Sequence, residues 1–185
     1  MPRLRRELEP GLYHLTACGV RAERIFLTGE DGTSYLELIG DVSDDEHFLC
    51  RSYALMPTHI HLLIETGTGR ISEAMRLLQG IYAIRFNKRH DLAGHVFRTR
   101  FHHEHIDTEA YLMEVIRYIA LNPVRAGLCA TAEAWRWGSA AFVLGRRPAP
   151  QFLDVEWTLR LFGDDPAEAR RRFAEFVALL PEFVQ

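Results

Sequence analysis

The chain has 185 residues but only three cysteines, Cys18, Cys50 and Cys129, widely spaced and with no CxxC pair. An odd, scattered set supports neither a disulfide framework nor a cysteine zinc site, so the three read as buried thiols. No apolar run approaches the ~18 residues needed to span a bilayer. The opening MPRLRRELEPG is basic with no apolar segment behind it, so a secretory signal is not expected and a cytoplasmic location is. Internal repeats and low-complexity stretches are also missing. Nor is there a positive excess: the formal net charge is −3, which argues against a generic nucleic-acid binder.

What the chain does have is the balance of a globular protein, 48% hydrophobic and 25% charged residues, in a length that suits one domain with an appendage. Its charge is unevenly spread. Between Arg70 and Phe101 stand Arg70, Arg76, Arg85, Lys88, Arg89, Arg98 and Arg100, opposed only by Glu73 and Asp91, while acids gather in residues 30 to 46 and in the C-terminal third. Such a region is either a solvated helix face or a local footprint for a polyanion.

Hydrophobic periodicity orders the elements. LYHLTA alternates as a first strand. SYLELIG reads as a short helix, with Ser34 and Glu37 at capping-box spacing and Gly40 at its end. HFLCRSYALM and HIHLLIE form two strands joined by a tight turn at Pro57-Thr58. From Ser72 to about His90 the apolar residues recur at helical spacing. VFRTRFHHEHI, residues 96 to 106, alternates as a fourth strand. Asp107 or Thr108 then caps a helix that runs to Asn122, where Pro123 disfavours helical geometry in the residue before it. After GRRPAP, a short helix in DVEWTLRLF precedes one capped by Asp165 with Pro166 in first position, its stripe formed by Phe173, Phe176, Val177 and Leu180. The order predicts an α+β fold, an antiparallel sheet with helices packed on one face.

Two features carry chemistry. On a strand, Ile60, Leu62 and Ile64 point one way while His59 and His61 point the other, ~7 Å apart at their Cα atoms. Neutral imidazoles so placed can converge on one ion, although two polar residues on a half-exposed strand need mean no more than that. The second is YLMEVIRYIALNPVRAGL. Leu112, Val115, Ile116 and Ile119 form its apolar stripe, Tyr118 lies off that stripe, and Asn122 stands one turn beyond Tyr118, with Tyr111 and Glu114 flanking the same face. Taken singly, Tyr118 is a boundary residue and Asn122 a helix-end residue. HHEH, residues 102 to 105, sends His103 and His105 to one face and His102 to the other, with no third ligand evident.

Together, PTHIHLLIE, GHVFRTRF, YIALNPVRAGL and WRWGSAAF, in this order and spacing, resemble the IS200-like tyrosine transposases, in particular the branch associated with repetitive extragenic palindromes. The resemblance covers about residues 12 to 145, and the tail from Leu153 to Val177 looks like that of longer members. It implies a ferredoxin-like sheet, a single-tyrosine HUH nuclease domain over residues 1–145, and a helical extension, 146–185, docked on it. It further implies Tyr118 as nucleophile, His59, His61 and Asn122 as ligands of Mg²⁺ or Mn²⁺, and a DNA endonuclease and strand transferase working through a 5′-phosphotyrosine link. Single-stranded or hairpin DNA is the implied partner, gripped by Arg85, Lys88, Arg89, Arg98 and Arg100, and the protein is then nucleoid-associated when bound. The docked tail favours a monomer over a homodimer. Two departures are the acidic net charge and Phe97 where relatives often carry Trp. Of the alternatives, a histidine-triad hydrolase needs a third histidine where this chain has Leu63, and a catalytically silent DNA-binding regulator would have no use for the full set of four.

Overall fold

The computed structural model describes residues 8–46 and 48–178. Strand β1 (Gly11–Cys18) leads to helix α1 (Gly29–Glu46), then come β2 (Phe48–Met56), β3 (His59–Thr66), α2 (Ile71–His90), β4 (His102–Ile106) and α3 (Glu109–Arg125). The sheet order is β2-β3-β1-β4, antiparallel throughout, which is the ferredoxin-like βαββαβ arrangement.

The two helices inside that unit pack on one face, where Leu15, Ile60, Leu62 and Ile64 meet Leu38, Ile39, Leu78 and Tyr82 in one buried cluster. The opposite face is covered by α3 and by three helices after it, α4 (Ala140–Val143), α5 (Val155–Arg160) and α6 (Pro166–Ala178). Here Leu63 and Met56 from the sheet pack with Ile116 and Ile119 of α3, and Leu159, Phe162 and Phe173 complete the cluster. The sheet is therefore a middle layer, and β3 is buried on both sides. The aliphatic face of β3 turns to α1 and α2, as the alternation predicts, and the histidine face turns to α3.

Four boundaries differ from the sequence reading. The first helix begins at Gly29, not Ser34, because the Asp31 carboxylate accepts the Leu27 and Thr28 amides at 2.9 Å and starts the helix there. Ser34 is buried inside it, and Gly40 falls mid-helix against the Phe152 ring. The fourth strand is only His102–Ile106. Val96 and Phe97 are both buried, which breaks the alternation, and their segment makes a single bridge to Gly19 instead of a strand.

Helix α3 passes through Pro123 to Arg125. A proline in the last turn removes one donor without breaking the helix, and the true stop is Gly127. At φ +69 it lets the Gly127 and Leu128 amides reach back to the carbonyls of Val124 and Pro123, both at 2.9 Å. At the other end Thr108 caps as expected, accepting the Tyr111 amide. In the tail Asp165 caps as expected, accepting the Glu168 amide at 2.8 Å, and Asp154 caps α5 by accepting the Trp157 amide. Phe173 and Val177 are buried and Phe176 partly so, while Leu180 lies outside the described residues.

Candidate active site

The β1–β3 register sets Thr16 opposite His61 and Cys18 opposite His59, so the polar face of β1 borders the histidine pair. His59 and His61 stand with ring centroids 4.9 Å apart and nearly perpendicular. Across from them, α3 brings the Asn122 amide 3.2 Å from His61 Nε2, and the same side chain hydrogen-bonds His59. The Tyr118 ring lies edge-on to His61 with centroids 5.2 Å apart. All four residues singled out from the sequence thus meet at one place.

Exposure differs among them. His61 is 3% exposed, whereas Tyr118 is 38% exposed on the wall of an open cavity of about 750 Å³ that His61 also lines. The Arg125 guanidinium sits over the Tyr118 ring at 5.7 Å. Burial drives the His61 pKa down to about 3, helped by the nearness of His14 and His59. Burial lowers His59 as well, partly opposed by its hydrogen bond to Asn122. Both imidazoles are therefore neutral near pH 7, the state that offers a lone pair.

The donor set suits a divalent ion. Among the described residues no three His, Cys, Asp or Glu side chains gather closely enough to hold a metal, so two imidazoles and one amide are the set available. His59 Nδ1 is engaged by Thr58 Oγ1 at 3.1 Å, which leaves Nε2 as the nitrogen it has to offer an ion. Ligands at right angles and ~2.1 Å from a common ion stand about 3.0 Å from each other, close to the 3.2 Å between His61 Nε2 and the Asn122 amide. A half-turn of that amide exchanges its nitrogen for the oxygen a hard cation prefers.

The expected DNA-gripping residues separate. Arg98 lines the cavity. Arg85, Lys88 and Arg89 ride on α2, behind the sheet, and Arg89 is committed to Asp31 at 2.7 Å. Arg100 is exposed in the segment before β4, its carbonyl taken by the Gln79 amide. Two other arginines, Arg117 and Arg125, line the cavity with Arg98, as does His102. Arg117 lies 4.0 Å above the Phe176 ring of α6, which ties the C-terminal helix to the cavity wall. These, with His14 and Glu104, escape a reading of the sequence because their placement depends on which strands pair and on how α3 lies across the sheet. The spacing of RYIALNPVR, with Arg117 and Arg125 bracketing Tyr118 on one helix, is the signal that could have found two of them.

A model of the family described as IS200-like transposases matches residues 10–122. In fold, the chain is similar to a REP-associated tyrosine transposase solved bound to a REP hairpin, with a TM-score of 0.64 and 20% identity over 83% of this chain and 92% of that one. A putative transposase from Deinococcus radiodurans R1 aligns with a TM-score of 0.45 and 18% identity over 64% of this chain and 95% of that one. No curated protein matches the chain.

Proposed function

The chain belongs to the IS200-like transposase family, and from that premise we propose that it nicks and rejoins single-stranded or hairpin DNA through a covalent link to Tyr118. In this reading residues 1–145 are the nuclease domain and 146–185 the docked extension. The observation that carries it is the convergence of His59, His61 and Asn122 beside a tyrosine that stands exposed on a cavity wall. The hairpin bound by the transposase of similar fold suggests the substrate class.

The chemistry follows from what each residue can do. The Tyr118 oxygen attacks a backbone phosphorus, forming a Tyr–O–P bond, and the bond from phosphorus to the 3′-oxygen breaks. The phenol proton passes to solvent and the 3′-oxygen leaves as a hydroxyl, so the phosphate stays on the 5′ strand end. Because one phosphoester replaces another, a second 3′-hydroxyl can reverse the step and join strands without ATP. His59, His61 and Asn122 would hold Mg²⁺ or Mn²⁺, which supplies charge neutralisation at the scissile phosphate. Mixed imidazole and amide ligation suits Mn²⁺ somewhat better, and cellular abundance favours Mg²⁺. Arg98, Arg117 and Arg125 line the cavity where phosphates would pass. Arg85, Lys88 and Arg89 would meet only DNA that continues around the sheet edge.

The test is to incubate the protein with end-labelled hairpin DNA from the flanks of its own gene and Mn²⁺, then separate the products under denaturing conditions. A slow-migrating band that is absent in Tyr118→Phe is expected. Equal cleavage by the Phe variant would overturn the assignment of the nucleophile.

A further inference from the structure

One partly buried histidine has no part in the chemistry above. His14 of β1 lies between His61 and Glu104, its side chain 11% exposed. The strand registers put it there: β1 pairs His14 with Glu104 on β4 and Thr16 with His61 on β3, so His14 is the diagonal neighbour of His61 on one face.

The two ring nitrogens of His61 face different surroundings. Nε2 is turned to Asn122, on the side shared with His59. Nδ1 lies 3.0 Å from His14 Nε2 and 3.2 Å from Thr16 Oγ1. A neutral imidazole carries one N–H and one lone pair, so a lone pair at Nε2 requires the proton at Nδ1. His14 Nε2 accepts that proton only if His14 carries its own hydrogen on Nδ1. On that side stands Glu104 Oε2, 3.9 Å away, a group that only accepts when ionised. Glu104 is in turn anchored by the Tyr111 hydroxyl, which donates to the same oxygen. The polarity of the chain from Tyr111 and Glu104 through His14 to His61 therefore runs one way.

We infer that His14 is a positioning residue: it holds His61 as the Nδ1–H tautomer, so that Nε2 keeps its lone pair directed at the point shared with His59 and Asn122. Its consequence for metal binding rests on the function proposed above, whereas the tautomer does not. Partners behind a ligating imidazole fix its orientation and donor strength, and losing one typically weakens metal binding by roughly 10–100-fold.

The test has two readouts. Long-range ¹H–¹⁵N spectra of the metal-free, ¹⁵N-labelled protein report which nitrogen of His61 is protonated. Wild type is expected to show Nδ1–H, and His14→Ala a shift toward Nε2–H. Titration with Mn²⁺, followed by electron paramagnetic resonance, should give about 10–100-fold weaker binding in His14→Ala. His14→Gln, whose side-chain oxygen can accept from the same place, should return within a few-fold of wild type, and Thr16→Val should leave the tautomer unchanged. A wild-type His61 protonated at Nε2 overturns the inference, as does unaltered Mn²⁺ binding in His14→Ala or a tautomer change confined to Thr16→Val. If His14→Ala does not fold, the wild-type spectrum and His14→Gln decide. Failure of the wild type to bind Mn²⁺ would count against the proposed metal site, while the spectra still judge the tautomer.

Discussion

Tyr118 is more exposed than its neighbours on α3 because the helix turns its apolar stripe, Leu112, Val115, Ile116 and Ile119, into the sheet. His61, in contrast, is buried and neutral, and that has a cost in acid. Its native pKa of about 3 lies far below the ~6.5 of an unfolded histidine, and burial also lowers His59 and His14. Below pH ~6.5 the unfolded chain takes up protons that the native site refuses. The metal-free fold should thus be most stable above that pH and lose stability as pH falls from there toward about 3. Urea midpoints measured between pH 7.5 and 5 should fall more steeply for wild type than for His61→Gln, and parallel slopes would refute the burial argument. Among the cations, Arg98→Ala should flatten the salt dependence of single-strand binding by ~0.7 unit of slope for each phosphate that Arg98 neutralises, while Lys88→Ala, behind the sheet, should leave the slope unchanged. Single residues are legible in the sequence where one element decides the outcome: alternation separates His59 and His61 from their aliphatic neighbours, and helical spacing sets Asn122 above Tyr118. His14 and Glu104 are not legible, because nothing local says that β1 lies between β3 and β4.

Elements are legible where their signals are chemical and local. Thr108 and Asp165 cap the helices they are expected to cap. Local rules mislead where they meet a tertiary one. By its own preference Pro123 would end α3 at Asn122, but the Gly127 turn two residues past the helix accommodates it. A direct check uses two glycines with open space around them, so that only backbone conformation is probed. Gly127→Ala forces a side chain into φ +69 and should destabilise by about 1 kcal/mol. Gly80→Ala, inside α2, should stabilise by ~0.5–1 kcal/mol. Thermal unfolding reads both, and equal signs would contradict this explanation of how α3 ends. The fourth strand is shorter than its alternation suggests for a related reason. Val96 and Phe97 are buried together where the chain passes the end of β1, a packing constraint invisible in the alternation of residues 96 to 101.

For the whole molecule, the order of strands and helices predicts the α+β sheet with helices on one face, whereas the layer that α3 and the later helices build on its histidine face is not contained in that order. The part beyond prediction is how the later segments treat the sheet's edge. On β2, the Leu55 amide donates to the Trp137 carbonyl at 2.9 Å, the Ser139 amide to Tyr53 at 3.0 Å and the Asp154 amide to Cys50 at 3.2 Å. Buried Arg51 clasps Glu65 of β3 and Asp154 beside α5, and stacks on Trp157. An edge capped in this way has few groups left for pairing with a second copy. Sedimentation at micromolar concentration should therefore give a monomer, and a dimer would mean that the other edge, the short β4, does the pairing.

The mechanism requires that one oxygen, that of Tyr118, takes the DNA. It is read out by mass spectrometry of the protein trapped with hairpin DNA and Mn²⁺, then digested with protease and nuclease. The expected product is a nucleotide adduct on the peptide carrying Tyr118, with fragmentation placing it on that side chain and none in Tyr118→Phe. An adduct on Tyr111, or nicked DNA with no protein adduct at all, would refute the mechanism.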